Sequence, residues 1–284
     1  MTRLFRKFFK ERVYSITLFQ LPIRCFYSIL VRFELAILRA FDLFRRQPAS
    51  ELNHDNVTAV IKSFERPKKL QRLLKSIRRT HPKLNIIVVD DSKVPLELDG
   101  VHLIHLPFDS GVSAGRDAGL AEVKTKYMVN LDDDFIFTRK TKLSRAIDYL
   151  EQNPEVDLVA GEVTYLPYFK RLDYFNHQLM DYSQTPLFEK GTMIDDLRVY
   201  EKCANFFIAN TEKLKTVGWD KSLKRLDHAD FYTRARGKLT AVFDPQIDLL
   251  HDQTHFDENY LSMRHEYSQD SYVLSKRYPN SSNS

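Results

Sequence analysis

The chain of 284 residues is short of several things, and each shortage removes a class of function. Its two cysteines, Cys25 and Cys203, are too few for a disulfide framework and fit a reducing compartment. No Cys-x-x-Cys pair suggests a zinc site. With only 8 glycines it holds neither GxGxxG nor GxxxxGK[ST], which removes the dinucleotide fingerprint and the P-loop. The N-terminal segment lacks an apolar run of the ~20 residues that a spanning helix needs. Its longest uncharged stretch, Val13 to Ile23, contains Pro22, and the charges recurring on either side fit a secretory signal poorly.

Charge is present in quantity but unevenly placed. Residues 1–50 carry ten Lys or Arg against three acids, a net +7, so the chain's +5 leaves −2 for residues 51–284. The basic pI of about 9.0 therefore belongs to the N-terminal segment and does not point to nucleic acid. In that segment Leu30, Phe33, Ile37 and Leu38 recur at helical spacing, as do Phe41 and Phe44, with Arg32, Arg39, Arg45 and Arg46 among them. Such a basic amphipathic helix either lies on an anionic membrane surface or packs on the main domain or a partner. Arg45 to Ser50 reads as a linker.

From Val57 strands and helices alternate. "VTAVI" is a β-branched strand, and "RPKKLQRLLKSIRR" is a helix with Pro67 at its first position and Leu70, Leu73, Leu74 and Ile77 on one face. "NIIVVDDS" and "VHLIHL" are strands, "SAGRDAGLAEV" a helix capped by Ser113, and "YMVNLDDD" a further strand. Nearly all-apolar strands between helices predict a largely parallel sheet covered on both faces. Ligands of such sheets bind beyond the carboxyl ends of the strands, where Asp90 and Asp91 and the run Asp132, Asp133, Asp134 lie.

Adjacent carboxylates repel, so cations must stand nearby. In extended backbone Asp132 and Asp134 share one side and Asp133 points away. Two such carboxylates at a strand end suit Mn²⁺ or Mg²⁺ bridging two phosphates, which would replace the missing glycine cradle. Helix capping by these acids is the plainer alternative, but Thr138 and Thr141 are better placed to cap the following helix.

The stretches "VTAVIKSFERPKKLQRLLKSI", "IIVVDDS", "GVSAGRDAGL" and "YMVNLDDDFIF", in this order, resemble the GT-A glycosyltransferases of family 2 type, above all the β-1,4-N-acetylgalactosaminyltransferases and their bacterial relatives. The resemblance covers roughly Val57 to His251. It implies an α/β GT-A fold over 51–256; outside the resemblance lie the basic helical segment 1–50 and, read from the residues, a C-terminal helix and disordered tail over 257–284. By position it places Ser63, Glu65, Arg66, Asp90, Asp91, Arg116, Asp132, Asp133 and Trp219 around a nucleotide-sugar, Asp91 at the uracil and Arg116 near the nucleotide. Asp117 stands where Asn is more usual. Asp132, Asp134 and His251 would hold the metal, with His255 as fallback. Inverting transfer needs a carboxylate base. "RLDHADF" offers Asp227 and Asp230, and the family's His-x-acid-Phe pattern falls on His228 and Asp230, which favours Asp230. The resemblance thus implies a metal-dependent inverting enzyme. It would move GalNAc or another hexosamine from a UDP-sugar to a surface-glycan or lipid-linked acceptor at the inner face of the cell membrane. A sugar nucleotidyltransferase is the second reading, disfavoured because "KSFERPKK" after the first strand has no glycine. A non-catalytic scaffold is the third.

Overall fold

The computed structural model describes residues 17–44 and 53–279. The linker Arg45–Ser50, residues 1–16 and the end of the tail lie outside the described residues. Strand β1 (Val57–Ser63) is buried along its whole length, as a central strand covered on both faces must be. It pairs in parallel with β2 (Asn85–Asp90) on one side and with β4 (Tyr127–Asp132) on the other, and β2 pairs in parallel with β3 (His102–His105). Between them run α2 (Pro67–Thr80), which buries Leu70, Leu73 and Ile77 with Leu74 packed against them, and α3 (Val112–Glu122). Pro67 opens α2, where its missing N–H costs nothing.

The second half of the sheet is mixed. After β5 (Phe135–Ile136) and α4 (Leu143–Gln152) come β6 (Leu158–Tyr165), the ribbon β7 (Met193–Ile194) and β8 (Leu197–Val199), and β9 (Phe207–Asn210). Then follow α5 (Thr211–Lys215), α6 (Asp227–Ala235) and β10 (Ala241–His251). Strand order is β3-β2-β1-β4-β9-β6-β10-β8-β7, with β5 pairing β10. The inserted β9 is antiparallel to both β4 and β6, while β10 runs parallel to β6. The predicted parallel sheet is therefore its first four strands, and the remainder is mixed. One core lies under α2 and α4, the other under α3 and α6.

The N-terminal segment forms one helix, α1 (Thr17–Phe44), with Pro22 near its start. One side packs on the domain: Val31 and Leu35 are buried against Ile136, Leu166 and Leu250, and the Tyr168 N–H donates to Glu34 (2.8 Å). The C-terminal stretch forms two short helices, α7 (Glu258–Arg264) and α8 (Ser268–Arg277). Arg24 of α1 pairs with Glu258 of α7 (3.2 Å), and Tyr260, Leu274 and Tyr278 are buried in the domain.

Two expected caps differ. Helix α3 is entered through Gly111 at φ 99°, not through a Ser113 side chain, because the backbone there turns toward Asp91 and donates to it. Helix α4 starts from Lys142; the Thr141 hydroxyl instead donates to the Asp248 carbonyl (2.7 Å) and ties the loop to β10. Gly111 is confined twice: its φ is left-handed, and a Cβ would stand 2.6 Å from the Lys224 Cα. Gly111→Ala is expected to lower stability by about 2–4 kcal/mol, from backbone strain and overpacking, measured by urea unfolding.

Candidate active site

The carboxyl ends of β1, β2, β4 and β10 open into a cleft of about 320 Å³, closed on the far side by α7. The strands deliver Lys62, Asp91, Asp132 and Asp134, and His251 ends β10. Arg66 enters from the β1–α2 loop, Arg116 from α3, Arg225 from the loop before α6, and Tyr260 and Arg264 from α7.

The chemistry of the floor is dictated by its acids. Asp132 ends β4, but Asp133 and Asp134 lie in a turn, so strand alternation stops at Asp132. Asp133 and Asp134 are both buried and both paired with one guanidinium: Arg66 donates to Asp134 Oδ2 (2.6 Å) and to Asp133 Oδ1. Asp133 also accepts from the Phe64 N–H (3.3 Å), which draws it away from the cleft. Arg66 lies over the Tyr260 ring, 4.4 Å from its centroid. Burial pushes the Asp133 carboxyl up, with Arg66 opposing. Burial would do the same to Asp134, but Arg66 and then His251 hold it well below the usual carboxylate range.

A second guanidinium spans the other two acids. Arg116, buried in α3, donates to Asp132 Oδ1 and Asp227 Oδ2, each at 2.5 Å. Burial raises the Asp227 carboxyl, opposed by Arg116 and Arg264. On β1, Lys62 pairs with Asp91, which also accepts from the Gly111 N–H (2.9 Å). Burial lowers the Lys62 ammonium, and Asp91 restores part of the loss.

The structure thus brings Arg66, Asp91, Arg116, Asp132, Asp134 and His251 together on one cleft, with Asp227 bound behind Arg116. Other predicted residues stand elsewhere. Asp90 accepts from the Ser92 hydroxyl (2.6 Å) and the Leu96 N–H (3.3 Å), and Glu65 (φ 55°) accepts from the Lys93 N–H (2.6 Å). These two carboxylates shape the loops after β1 and β2. Ser63 is buried beside them without lining the cleft. Trp219, expected at the sugar, is a core residue stacked between Phe207 and Phe231, at 6.4 and 5.0 Å.

Asp230, the favoured base, is corrected most clearly. It is buried on the side of α6 away from the cleft and accepts from Arg234 Nε (2.7 Å), Arg277 (2.6 Å) and the Tyr278 hydroxyl (2.9 Å). Its partners Arg277 and Tyr278 come from the end of α8, which packs on this part of α6. His228 is bound to the Cys203 carbonyl (2.6 Å). His255 lines the cleft rim with its ring edge-on to Tyr27 (5.4 Å). Lys62, Arg225 and Arg264 line the cleft and were not foreseen, while Tyr260 and Tyr267 reach it from the C-terminal stretch, whose tyrosine-bearing helix could by sequence cover the acceptor site. Of the first three only Lys62, a lysine inside an otherwise buried strand, leaves a sequence signal.

For a divalent ion, Asp134 Oδ1 and His251 Nε2 converge at 3.1 Å, and His251 Nδ1 is buried without a hydrogen-bond partner. Asp132 borders the same space. Among the described residues no three His, Cys, Asp or Glu side chains form a complete cage. Mg²⁺ and Mn²⁺ need no such cage when substrate phosphates complete the shell, so the donor set fits.

Residues 58–218 match the model of glycosyl transferase family 2, more than half of the chain. This chain is a family 2 glycosyltransferase. It is 37% identical over 203 residues to β-1,4 N-acetylgalactosaminyltransferase 2 of Mus musculus, covering 69% of this chain and 39% of the relative. To the human β-1,4 N-acetylgalactosaminyltransferase 1 it is 33% identical over 206 residues, 64% of this chain and 36% of the relative. The glycosyltransferase therefore spans well under half the length of these relatives. Among solved structures it resembles S. aureus TarS 1–349 in complex with UDP-GlcNAc (TM-score 0.59, 13% identity, covering 81% and 68% of the two chains). It also resembles the mannosyltransferase PcManGT of Pyrobaculum calidifontis in complex with GDP-Man and Mn²⁺ (TM-score 0.50, 12% identity, 89% and 74%). These likenesses establish the GT-A fold. The family membership sets aside the sugar nucleotidyltransferase and the inert scaffold.

Two outcomes follow for this glycosyltransferase. Asp230→Asn leaves Arg234 and Arg277 without their buried counter-charge. It is expected to cost about 2 kcal/mol in urea unfolding, less than the 3–5 kcal/mol of a fully buried pair because both arginines reach solvent. Burial, with Lys202 adding to it, lowers the His228 imidazole from its ordinary value of 6.5 to about 3. The unfolded chain takes up a proton at His228 below pH ~6.5 and the native chain does not, so stability is complete above that pH and falls as pH drops toward 3. A loss of about 1 kcal/mol per pH unit between 6 and 5 is expected, and His228→Gln should show a shallower slope.

Proposed function

We propose that this enzyme transfers an N-acetylhexosamine, GalNAc in first place, from a UDP-sugar to a hydroxyl of a surface glycan or lipid-linked glycan, with inversion and with Mn²⁺ or Mg²⁺ bound. The observation that carries this is the cleft itself. Asp132 and Asp134 face one space together with Arg116, Arg225 and Arg264, so carboxylates able to hold an ion sit beside cations able to hold phosphate. The mouse and human relatives, named for N-acetylgalactosaminyl transfer, support the sugar, and the UDP-GlcNAc complex of TarS supports the nucleotide. The Mn²⁺ complex of PcManGT supports the metal.

Asp134 and His251 would hold the ion, with Asp132 beside them. The bound ion supplies charge neutralisation to the departing diphosphate. Asp91, at the end of β2, is a carboxylate acceptor suited to the uracil N–H. Arg225 and Arg264 face the diphosphate. Asp227 takes the acceptor hydroxyl proton as that oxygen attacks the anomeric carbon. Its raised affinity for a proton suits a base, and Arg116 fixes its carboxylate in place. Through its basic N-terminal segment the enzyme contacts an anionic membrane surface on the cytoplasmic side. Among the described residues no helix is long and apolar enough to cross a membrane.

A screen of UDP-sugars for Mn²⁺-dependent release of UDP tests the reading. UDP-GalNAc should be hydrolysed in preference to UDP-glucose. Asp134→Ala should lower the rate by about 100-fold or more, and Asp227→Asn should lower transfer to acceptor by about 100-fold, within the range of general base loss. Asp230→Asn should retain transfer per folded molecule. Release of UDP that is equal with EDTA and with Mn²⁺ removes the metal from the reading.

A further inference from the structure

Helix α1 is satisfied on one side only. Opposite the packed face of Val31 and Leu35, the side chains of Phe26 (67% exposed), Ile29 (64%), Phe33 (61%) and Ile37 (37%) recur at three- and four-residue spacing in solvent. Large apolar side chains in a continuous row are an interaction surface rather than scattered exposure. Next to α1 lies a cavity of about 280 Å³ between it and α2. Its walls divide chemically. Leu35 and Leu38 of α1, with Leu250, make an apolar wall. Lys68, Arg72, Lys75 and Arg79, spaced by four, three and four residues along α2, make a cationic one, and among the described residues no acid lines the cavity. Arg72 is paired with Asp252; among the described residues Lys68, Lys75 and Arg79 pair with no carboxylate.

We propose that this groove is a binding site for the phosphate headgroup of an anionic membrane phospholipid. The phosphate sits on the α2 cations, its glycerol end on Leu35 and Leu38, and the Phe26–Ile37 row enters the acyl boundary. Charge complementarity selects this occupant: a row of cations of which, among the described residues, only Arg72 is matched by an acid meets an anionic surface, and the net +7 of residues 1–50 adds to it. The volume, set against ~30 Å³ per water, admits a phosphate and glycerol but not a whole acyl chain, so the chains stay in the bilayer. An interfacial helix of this kind binds through buried apolar area plus attraction to anionic lipid. The inference deepens the membrane contact proposed above and rests on it.

Flotation of the full chain with vesicles tests both separately. Binding is expected to equimolar POPC/POPG, weakened by salt, and not to POPC alone. Lys68→Gln/Lys75→Gln/Arg79→Gln, all at exposed positions, should reduce partitioning to POPC/POPG by about tenfold or more. Phe26→Ser/Phe33→Ser should abolish it. Both variants should keep the parent's melting temperature and its vesicle-free UDP-sugar hydrolysis. If the parent binds neither vesicle, the membrane contact and the groove both fall. If the parent binds and the triple glutamine variant binds equally well, the groove alone falls. A dimer by light scattering that Phe26→Ser/Phe33→Ser dissociates would give the apolar row to a second copy of the chain and overturn the proposal.

Discussion

Four carboxylates meeting at one sheet edge are possible only because two guanidinium groups stand between them. Arg66 spans Asp133 and Asp134, and Arg116 spans Asp132 and Asp227. Unit charges ~4 Å apart near a protein surface interact by roughly 4 kcal/mol, so adjacent buried acids without these partners would give up their protons poorly or turn out to solvent. A planar fork with several donors can bridge two carboxylates at once, which an ammonium does less well. Lys62 is accordingly assigned to one acid, Asp91, with the Gly111 N–H completing the shell. The opposite shifts of Asp133 and Asp134 show how unequal two neighbours become: burial raises Asp133 despite Arg66, while Arg66 and then His251 together outweigh the burial of Asp134.

This balance explains why the surrounding fold is built as it is. The parallel strands aim their carboxyl ends at one place, and each of β1, β2 and β4 delivers a charged residue there. β10 is parallel to β6, across the inserted β9, and delivers His251 to Asp134 from the mixed half of the sheet. The C-terminal helices then do two jobs. α7 adds Tyr260 and Arg264 to the cleft wall, while α8 anchors α6: Asp270 accepts from the N–H groups of Lys224, Arg225 and Leu226, and Arg277 and Tyr278 reach Asp230. Asp227 and Asp230 thus divide the labour of one short helix, one holding the cleft residue Arg116 and one holding α8.

What was legible in the residues was whatever has a local cause. Apolar runs ending in Asp91 and Asp132 placed the strand ends, and Leu70, Leu73 and Ile77 placed the buried face of α2, because strand alternation and helical period act over a few residues. The need for positive charge near Asp132–Asp134 was legible too, but not its source. Arg66 lies far back in the chain from those acids, and nothing local joins them. Asp230 was misread for the same reason: its partners Arg277 and Tyr278 arrive from a helix docked by long-range packing. Trp219 was taken for a sugar platform, although Phe207 and Phe231 claim both its faces. The cap at Ser113 failed because Gly111, needed for its φ and its N–H, already started the helix.

The chain's basic residues therefore serve two different electrostatic ends, and burial separates them. Inside the cleft Arg116 is wholly buried, Arg66 nearly so, and each is matched by acids, so their charge is spent locally and little field escapes. On α2 the exposed Lys68, Lys75 and Arg79 face no acid among the described residues, so their field reaches into solvent over roughly a Debye length, ~8 Å at physiological salt. Arg72 joins the two sets, pairing with Asp252, whose N–H donates to the Asp134 carbonyl (3.0 Å). The floor of the cleft and the cationic groove are thus braced by the same short segment after β10.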